Sequence, residues 1–358
     1  MKVKPNQLIV GCILANDIHC NSNQILMRKK TILTEEYINV VKAFLIEDIE
    51  VESHISNGMT FSPREVIPTD EINEIGDSCS FRELYLQAVV SYKKLFQGWQ
   101  AGLKVDILPI RKILLSLLDK LDEAPDEIIS IHSYATKVDY IYHHAVSVGA
   151  LSAYLGRMLN LTYVEQIQIG LAGLMADSGM SKTPNSIIYK KNSLTASEFE
   201  EMKRHPMLSY QMIKDIPGIT DGVLLGVVQH HEREDGSGYP MAVTSQKLHK
   251  FSKIIAVVDV FHAMTSERTY KSKQSPYQVI ELIRKDNFGK FDIKIVQTLE
   301  SLIANFSIGT RVKLNNGEEG EVVFLEPQDR IRPMVRSKVS GEFIKLANRS
   351  DLYIDEII

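Results

Sequence analysis

His230-His231-Glu232-Arg233-Glu234-Asp235-Gly236-Ser237-Gly238-Tyr239-Pro240 sets two adjacent imidazoles at the head of an acidic, glycine-rich loop that ends in Gly-Tyr-Pro. Neutral imidazoles are the commonest protein metal ligands, and glycine lets a backbone turn tightly around whatever is bound. A lone His-His pair is more often surface decoration than a metal site. The order within this string argues against decoration and directs attention to partner ligands elsewhere in the chain.

Partners recur at wide intervals. Tyr142-His143-His144 opens a helical stretch and Ala176-Asp177-Ser178-Gly179 closes another; His205-Pro206 marks a helix end, and Val258-Asp259-Val260-Phe261-His262 follows the Gly-Tyr-Pro loop. Helical phase decides whether these side chains can meet. His144, Val148, Leu151 and Leu155 share one face, so His144 points toward the core. Asp177 follows the apolar stripe of Ile167, Leu171 and Leu174, His230 continues the face of Val223 and Val227, and Asp259 follows Ile255. Each has a plain alternative: a hydrogen-bonded core histidine, an Asp that caps or turns the chain, a pre-proline helix boundary. Together those alternatives require several inward-facing His and Asp residues with no common purpose. Buried polar groups need partners, and a shared metal centre satisfies all of them.

From about Tyr140 to Leu282 the chain resembles an HD-GYP domain, the branch of the HD metallophosphohydrolase superfamily that cleaves bacterial cyclic di-GMP. The resemblance runs through Tyr142-His143-His144-Ala145-Val146, Leu174-Met175-Ala176-Asp177-Ser178-Gly179, Leu194-Thr195, His205-Pro206, the string from His230 to Pro240, Ala256-Val257-Val258-Asp259-Val260-Phe261 and Ser266-Glu267-Arg268-Thr269-Tyr270-Lys271. It implies a metal cluster of His144, Asp177, His205, His230, His231 and Asp259, with Asp177 as the catalytic bridging carboxylate and iron or manganese as the divalent ions. Imidazole and carboxylate ligands with open positions suit such metals, and paired ions clamp the attacking and leaving oxygens of a phosphodiester. Arg268 and Lys271 match positions that hold nucleotide phosphates, a role suited to guanidinium and ammonium groups. Tyr239 and Gly238 are further candidates for substrate contact.

The chain departs from the family pattern at its eponymous doublet. Ala176 stands where the first histidine belongs, Met180 replaces the lysine three residues after the Asp, and His262 replaces the second carboxylate of the Asp-Val-Phe-Asp segment. Alanine offers neither lone pair nor charge. One ion position then keeps Asp177 with His205, His230 and His231, and the other keeps only His144, Asp177 and Asp259. His262, one helical turn after Asp259, is a candidate substitute ligand. The expectation is an HD-GYP protein of cyclic di-GMP signalling that holds one ion rather than two and binds a cyclic dinucleotide, or a protein partner through the Gly-Tyr-Pro loop, with weak or no phosphodiesterase activity. The alternative is an active metal-dependent cyclic di-GMP phosphodiesterase; a more distant one is a phosphohydrolase acting on another nucleotide.

Composition sets the frame for this reading. The 358 residues are 44% hydrophobic and 24% charged, as in ordinary soluble globular proteins. A net charge of −4 gives no electrostatic case for binding nucleic-acid polymers or membranes. Cys12, Cys20 and Cys79 are odd in number and form no CxxC unit, which fits a reducing cytoplasm. No apolar run approaches the roughly 20 residues of a membrane span, and the N-terminus lacks a signal-peptide core.

The expected fold is mainly α: an all-helical HD-type domain with a small N-terminal α+β module and a small C-terminal β unit. Residues 1–55 form the N-terminal module, with short strands around Asn21-Ser22-Asn23 and a helix capped by Thr34. Residues 56–80, with Pro63, Pro68, Gly58 and Gly76, read as a linker. Residues 81–305 carry helical periodicity with interruptions at Gly98, Pro109 and Pro125, and hold the core motifs within 140–282. Thr195 to Glu198 is a capping box, and Ser275-Pro276 a cap with a first-turn proline. In residues 306–358, Asn316-Gly317 between two strand-like runs signals a hairpin.

Overall fold

The computed structural model describes residues 2–19, 25–43, 48–56, 60–61, 80–123, 127–190, 192–267, 273–286, 289–326 and 329–358. The chain divides into two compact units, Met1–Ser78 and Cys79–Ile358.

In the first unit, strand β1 (Lys2–Val3) pairs antiparallel with β4 (Ile49–Glu50), and β2 (Ile18–His19) with β3 (Ile25–Met27). The residues 21–23 between β2 and β3 lie outside the described ones. Helix α1 (Glu35–Ala43) starts after Thr34, whose Oγ1 accepts the N–H of Tyr37 at 3.3 Å. Cys12, Leu14, Leu33, Val41 and Val51 form a small core. Phe61, inside the stretch read as linker, is buried in that same core. The rest of the linker lies mostly outside the described residues.

The second unit begins at α2 (Phe81–Gln100), opened by a capping box in which Ser80 Oγ accepts from Glu83 N and Glu83 accepts from Ser80 N. Gly98 does not interrupt α2; it lies in its last turn. Pro109 likewise sits in the first turn of α3 (Ile107–Glu123), where its missing N–H has no intrahelical partner to lose. After α4 (Glu127–Ser130) comes α5 (Tyr140–Met158), buried on nearly every side from Tyr142 to Ala153. A helix that is apolar all round belongs in the middle of a bundle, and α5 packs on α2, α3, α6 (Tyr163–Met175) and α11 (Lys250–Thr265). Around this centre run α7 (Asn185–Ile188), α8 (Ala196–Met202), α9 (His205–Ile213), α10 (Asp221–Val228), α12 (Pro276–Asp286) and α13 (Ile293–Ile303). The capping box of Thr195 and Glu198 opens α8, and Ser275 Oγ accepts the N–H of Tyr277 at the start of α12.

Strands β5 (Arg311–Leu314), β6 (Glu319–Phe324), β7 (Met334–Ser337), β8 (Phe343–Lys345) and β9 (Ile354–Ile357) form an antiparallel sheet in the order β8-β7-β6-β5-β9. The Asn316-Gly317 turn joins β5 to β6 as its sequence predicts, whereas β9 carries no comparable signal. The sheet shares one apolar core with the helices through Val312, Leu314, Val335 and Ile354. Buried Arg332 fixes the seam: it meets Glu281 of α12 at 2.6 Å and donates to the carbonyls of Leu346, Arg349 and Leu352. Among the described residues no helix is long and apolar enough to cross a membrane.

Candidate metal centre

The bundle gathers the predicted ligands from five helices. His144 lies in the second turn of α5, Asp177 just past α6, His205 at the first position of α9, His230 and His231 just past α10, and Asp259 within α11. All are buried except His231, which is half-buried. Asp177 is held by a short bridge between backbones. Ser209 Oγ donates to the Ala176 carbonyl at 2.7 Å and accepts the Gly179 N–H at 2.7 Å. A Cβ on Gly179 would fall 2.3 Å from His205 O and 2.5 Å from Ser209 N, so glycine is what lets Asp177 and His205 approach.

Two helix ends dictate the chemistry of the imidazoles. His205 Nδ1 lies 2.7 Å from the Met202 carbonyl at the end of α8, and His230 Nδ1 lies 2.7 Å from the Val227 carbonyl in the last turn of α10. Terminal helix carbonyls lack intrahelical donors and can only accept, so both Nδ1 atoms carry hydrogen. In the neutral rings each Nε2 is then a bare lone pair. Those Nε2 atoms face Asp177 Oδ1 at 3.1 and 3.6 Å and lie 3.2 Å from each other. Asp177 Oδ1 is buried without a hydrogen bond of its own. Lone pairs of three groups thus converge on one point, and only a cation or an added proton resolves the conflict.

The donor atoms fall into two sets, each within 4.8 Å of one another: Asp177, His205, His230 and His231; and His144, Asp177 and Asp259. Asp177 belongs to both, with Oδ1 turned to His205 and Oδ2 lying 3.6 Å from His144 Nε2. His144 Nε2 also lies 2.9 Å from Asp259 Oδ1, and His231 Nδ1 lies 3.6 Å from Asp259 Oδ2. Burial alone would raise the Asp177 carboxyl; the neighbouring imidazoles of His205, His230 and His144 outweigh it and hold the group well below the usual carboxylate range. Asp259 is also held low, burial being overcome by His231 and His144. Burial and the charge of His230 keep His231 well below an ordinary imidazole. His230 is raised, because Asp177 prevails over burial. Two ionised carboxylates and a neutral imidazole therefore meet where a divalent ion would sit.

Among the described residues, no side chain at the substituted positions joins either ligand set. Ala176 is buried and its methyl joins the apolar core, and half-buried Met180 packs against the same core. The next lysine, Lys182, donates to the Trp99 carbonyl. His262 lies outside both ligand sets, with its Nδ1 3.0 Å from His144 Nδ1. Arg268 and Lys271 lie outside the described residues.

Glu232, between the His pair and the loop, is a residue that motif reading passed over. Its buried carboxylate accepts the backbone N–H groups of Met241 (2.6 Å), Ala242 and Val243 (both 3.1 Å) and so shapes the loop from within. Only its position after two inward-facing histidines signals burial. Gly238 packs on the same backbone, where a Cβ would come within 2.4 Å of Glu232 Cα. The Tyr239 ring consequently lies against His231, centroids 4.7 Å apart, and also lines an open cavity of about 470 Å³ with Lys203, Arg204 and Met207. Glu232→Ala leaves three N–H groups without their acceptor; Met241 and Ala242 are exposed, so water replaces part of what is lost, and a destabilisation of about 1–3 kcal/mol in equilibrium urea unfolding is the expected result.

The HD domain family matches residues 128–295. The chain is 30% identical over 284 residues to the cyclic di-GMP phosphodiesterase PA4108 of Pseudomonas aeruginosa, covering 78% of this chain and 67% of that protein. It is 31% identical over 164 residues to 3'3'-cGAMP-specific phosphodiesterase 1 of Vibrio cholerae, covering 46% of this chain and 38% of that protein. Among solved structures it is similar to Bd1817, described as an HDG"Y"P protein, from Bdellovibrio bacteriovorus. The TM-score is 0.52 at 13% identity, over 85% of this chain and 99% of that one, a likeness of fold.

Proposed function

The chain belongs to the HD-GYP branch of the HD-domain family, and from that premise we propose that it holds divalent metal in the His–Asp cluster and binds cyclic di-GMP or a related cyclic dinucleotide, with phosphodiester hydrolysis weakened or lost. The observation that carries the metal reading is the buried Asp177 Oδ1, unpaired and faced by the Nε2 atoms of His205 and His230. Three imidazoles and a carboxylate suit iron or manganese. The second set, one imidazole and two carboxylates, is the poorer of the two because Ala176 contributes nothing. A divalent cation supplies Lewis-acid charge to a phosphoryl oxygen and acidifies water. The remaining work falls to the chain's own groups: Asp177 ties the two sets together, Tyr239 presents a ring beside the ligands, and Gly238 keeps that ring in place. Met180 brings no cation toward a phosphate, so charge neutralisation rests on Arg268 and Lys271.

The second reading is an active cyclic di-GMP phosphodiesterase. It draws support from Asp177 addressing both sets, which keeps two adjacent ion positions in outline. Anaerobic purification, metal analysis, and incubation with cyclic di-GMP and Mn²⁺ or Fe²⁺ separate the two. The proposal expects bound metal and retention of the intact cyclic dinucleotide in equilibrium dialysis. Accumulation of linear dinucleotide or GMP at ordinary enzyme rates establishes the second reading instead, and absence of both metal and nucleotide binding overturns both.

A further inference from the structure

Resting on the metal-site reading, we infer that His262 is a positioning residue for His144, and that the second ion position depends on this histidine pair while the first does not. His144 is engaged on both sides of its ring. Nε2 points inward to Asp259 at 2.9 Å; Nδ1 points outward to His262 Nδ1 at 3.0 Å and to the Tyr140 hydroxyl at 3.2 Å. His262 is fully buried on α11, one turn beyond Asp259, with Ser266 Oγ 3.3 Å from its Nε2 and 3.4 Å from its Nδ1. The Tyr140 ring stacks on both imidazoles, at centroid distances of 5.4 Å from His144 and 6.4 Å from His262.

An imidazole that ligates through Nε2 must carry its hydrogen on Nδ1 and needs an acceptor there. His205 and His230 obtain theirs from backbone carbonyls at helix ends, which no side-chain replacement removes. His144 lies within α5, whose carbonyls serve the helix ladder, so its acceptor must be a side chain. The lone pair of His262 Nδ1 is placed for this when its own hydrogen sits on Nε2, which has Ser266 Oγ within reach at 3.3 Å. His262 therefore stands behind the His144 ring, outside both ligand sets, and acts on the ion through His144. The histidine at this position replaces a carboxylate of the family pattern with another acceptor, not with a new ligand.

The test is a Mn²⁺ titration of the metal-stripped full chain, with free ion followed by electron paramagnetic resonance. The variants are His262→Phe, which keeps an aromatic ring without an acceptor, and His262→Gln, which restores one. Circular dichroism of the metal-free forms checks folding. The parent is expected to show a tight and a weaker class of site. His262→Phe should weaken the weaker class about 10–100-fold, the usual effect of losing a ligand's outer partner, and leave the tight class unchanged; His262→Gln should recover most of the loss. Pulsed measurements on the weaker site should count one coordinated imidazole nitrogen. Unchanged binding in a folded His262→Phe protein, equal loss of both classes, failure of His262→Gln to recover, or two coordinated imidazoles at the weaker site would each overturn the inference. A parent that takes up no ion overturns the metal-site reading and this inference with it.

Discussion

Asp177→Asn is expected to empty both ion positions at once, whereas His144→Ala empties only one. The side chain of Asp177 is the element common to the two donor sets. Asparagine keeps the volume and one carbonyl oxygen but removes the negative charge that two cations would share. It also places an amide N–H₂ where Oδ1 or Oδ2 faces an imidazole nitrogen. A loss of at least about 100-fold in affinity at each position is expected, beyond that seen for outer-partner mutations. Metal analysis after dialysis gives the direct reading. Thermal unfolding gives an independent one, because a ligand at 100 times its Kd stabilises the native state by about 2.7 kcal/mol. The parent should gain that stabilisation on adding Mn²⁺, Asp177→Asn should gain none, and His144→Ala should keep most of it through His205, His230 and His231. Equal ion retention by Asp177→Asn and the parent would show that the carboxylate serves only the fold.

The contrast between these two variants shows what the sequence could and could not convey. Helical phase was enough to turn His144, Asp177, His230 and Asp259 inward, since each continues an apolar stripe whose burial is decided by the period of the helix. Phase says nothing of which ring nitrogen faces the ligands. That is settled by the carbonyls of Met202 and Val227, acceptors that exist only once α8 and α10 have ended. The same limit hid Glu232, whose charge reads as loop surface until the chain from Met241 to Val243 folds back over it. His262 was legible as an inward residue on the face of Asp259, but one turn of helix separates a ligand from a group behind a ligand, and side-chain direction makes the difference. At the level of the fold, the capping boxes and the Asn316-Gly317 turn are local and were readable. The burial of Arg332 against Glu281, which fuses the sheet to the helices, depends on residues far apart in sequence and was not.

Ala176→His combined with Met180→Lys is expected to raise phosphodiester hydrolysis at least about 100-fold over the parent. The magnitude follows from what each change restores. A histidine after α6 adds an imidazole to the set that has only His144, Asp177 and Asp259, and a lysine three residues after Asp177 adds a cation for a developing phosphoryl charge. Removing one such electrostatic contact typically costs 10²–10³ in rate. The two replacements meet different surroundings. Met180 is half-buried, so lysine can lay its methylenes over the same apolar surface and carry its ammonium outward. Ala176 is buried, and the larger ring displaces packed neighbours at a cost of about 1–3 kcal/mol. The single Ala176→His variant should therefore be less stable than the parent without metal and recover on adding Mn²⁺, while Met180→Lys alone should be nearly neutral. Metal content should rise from one tightly held ion toward two in every variant that carries Ala176→His. If the ion count rises and turnover does not, the deficit lies outside the restored ligand and lysine, and the candidate phosphate contacts Arg268 and Lys271 become the place to look. If neither rises, Ala176 is not the position that limits the second ion, and the non-catalytic reading loses the cause assigned to it.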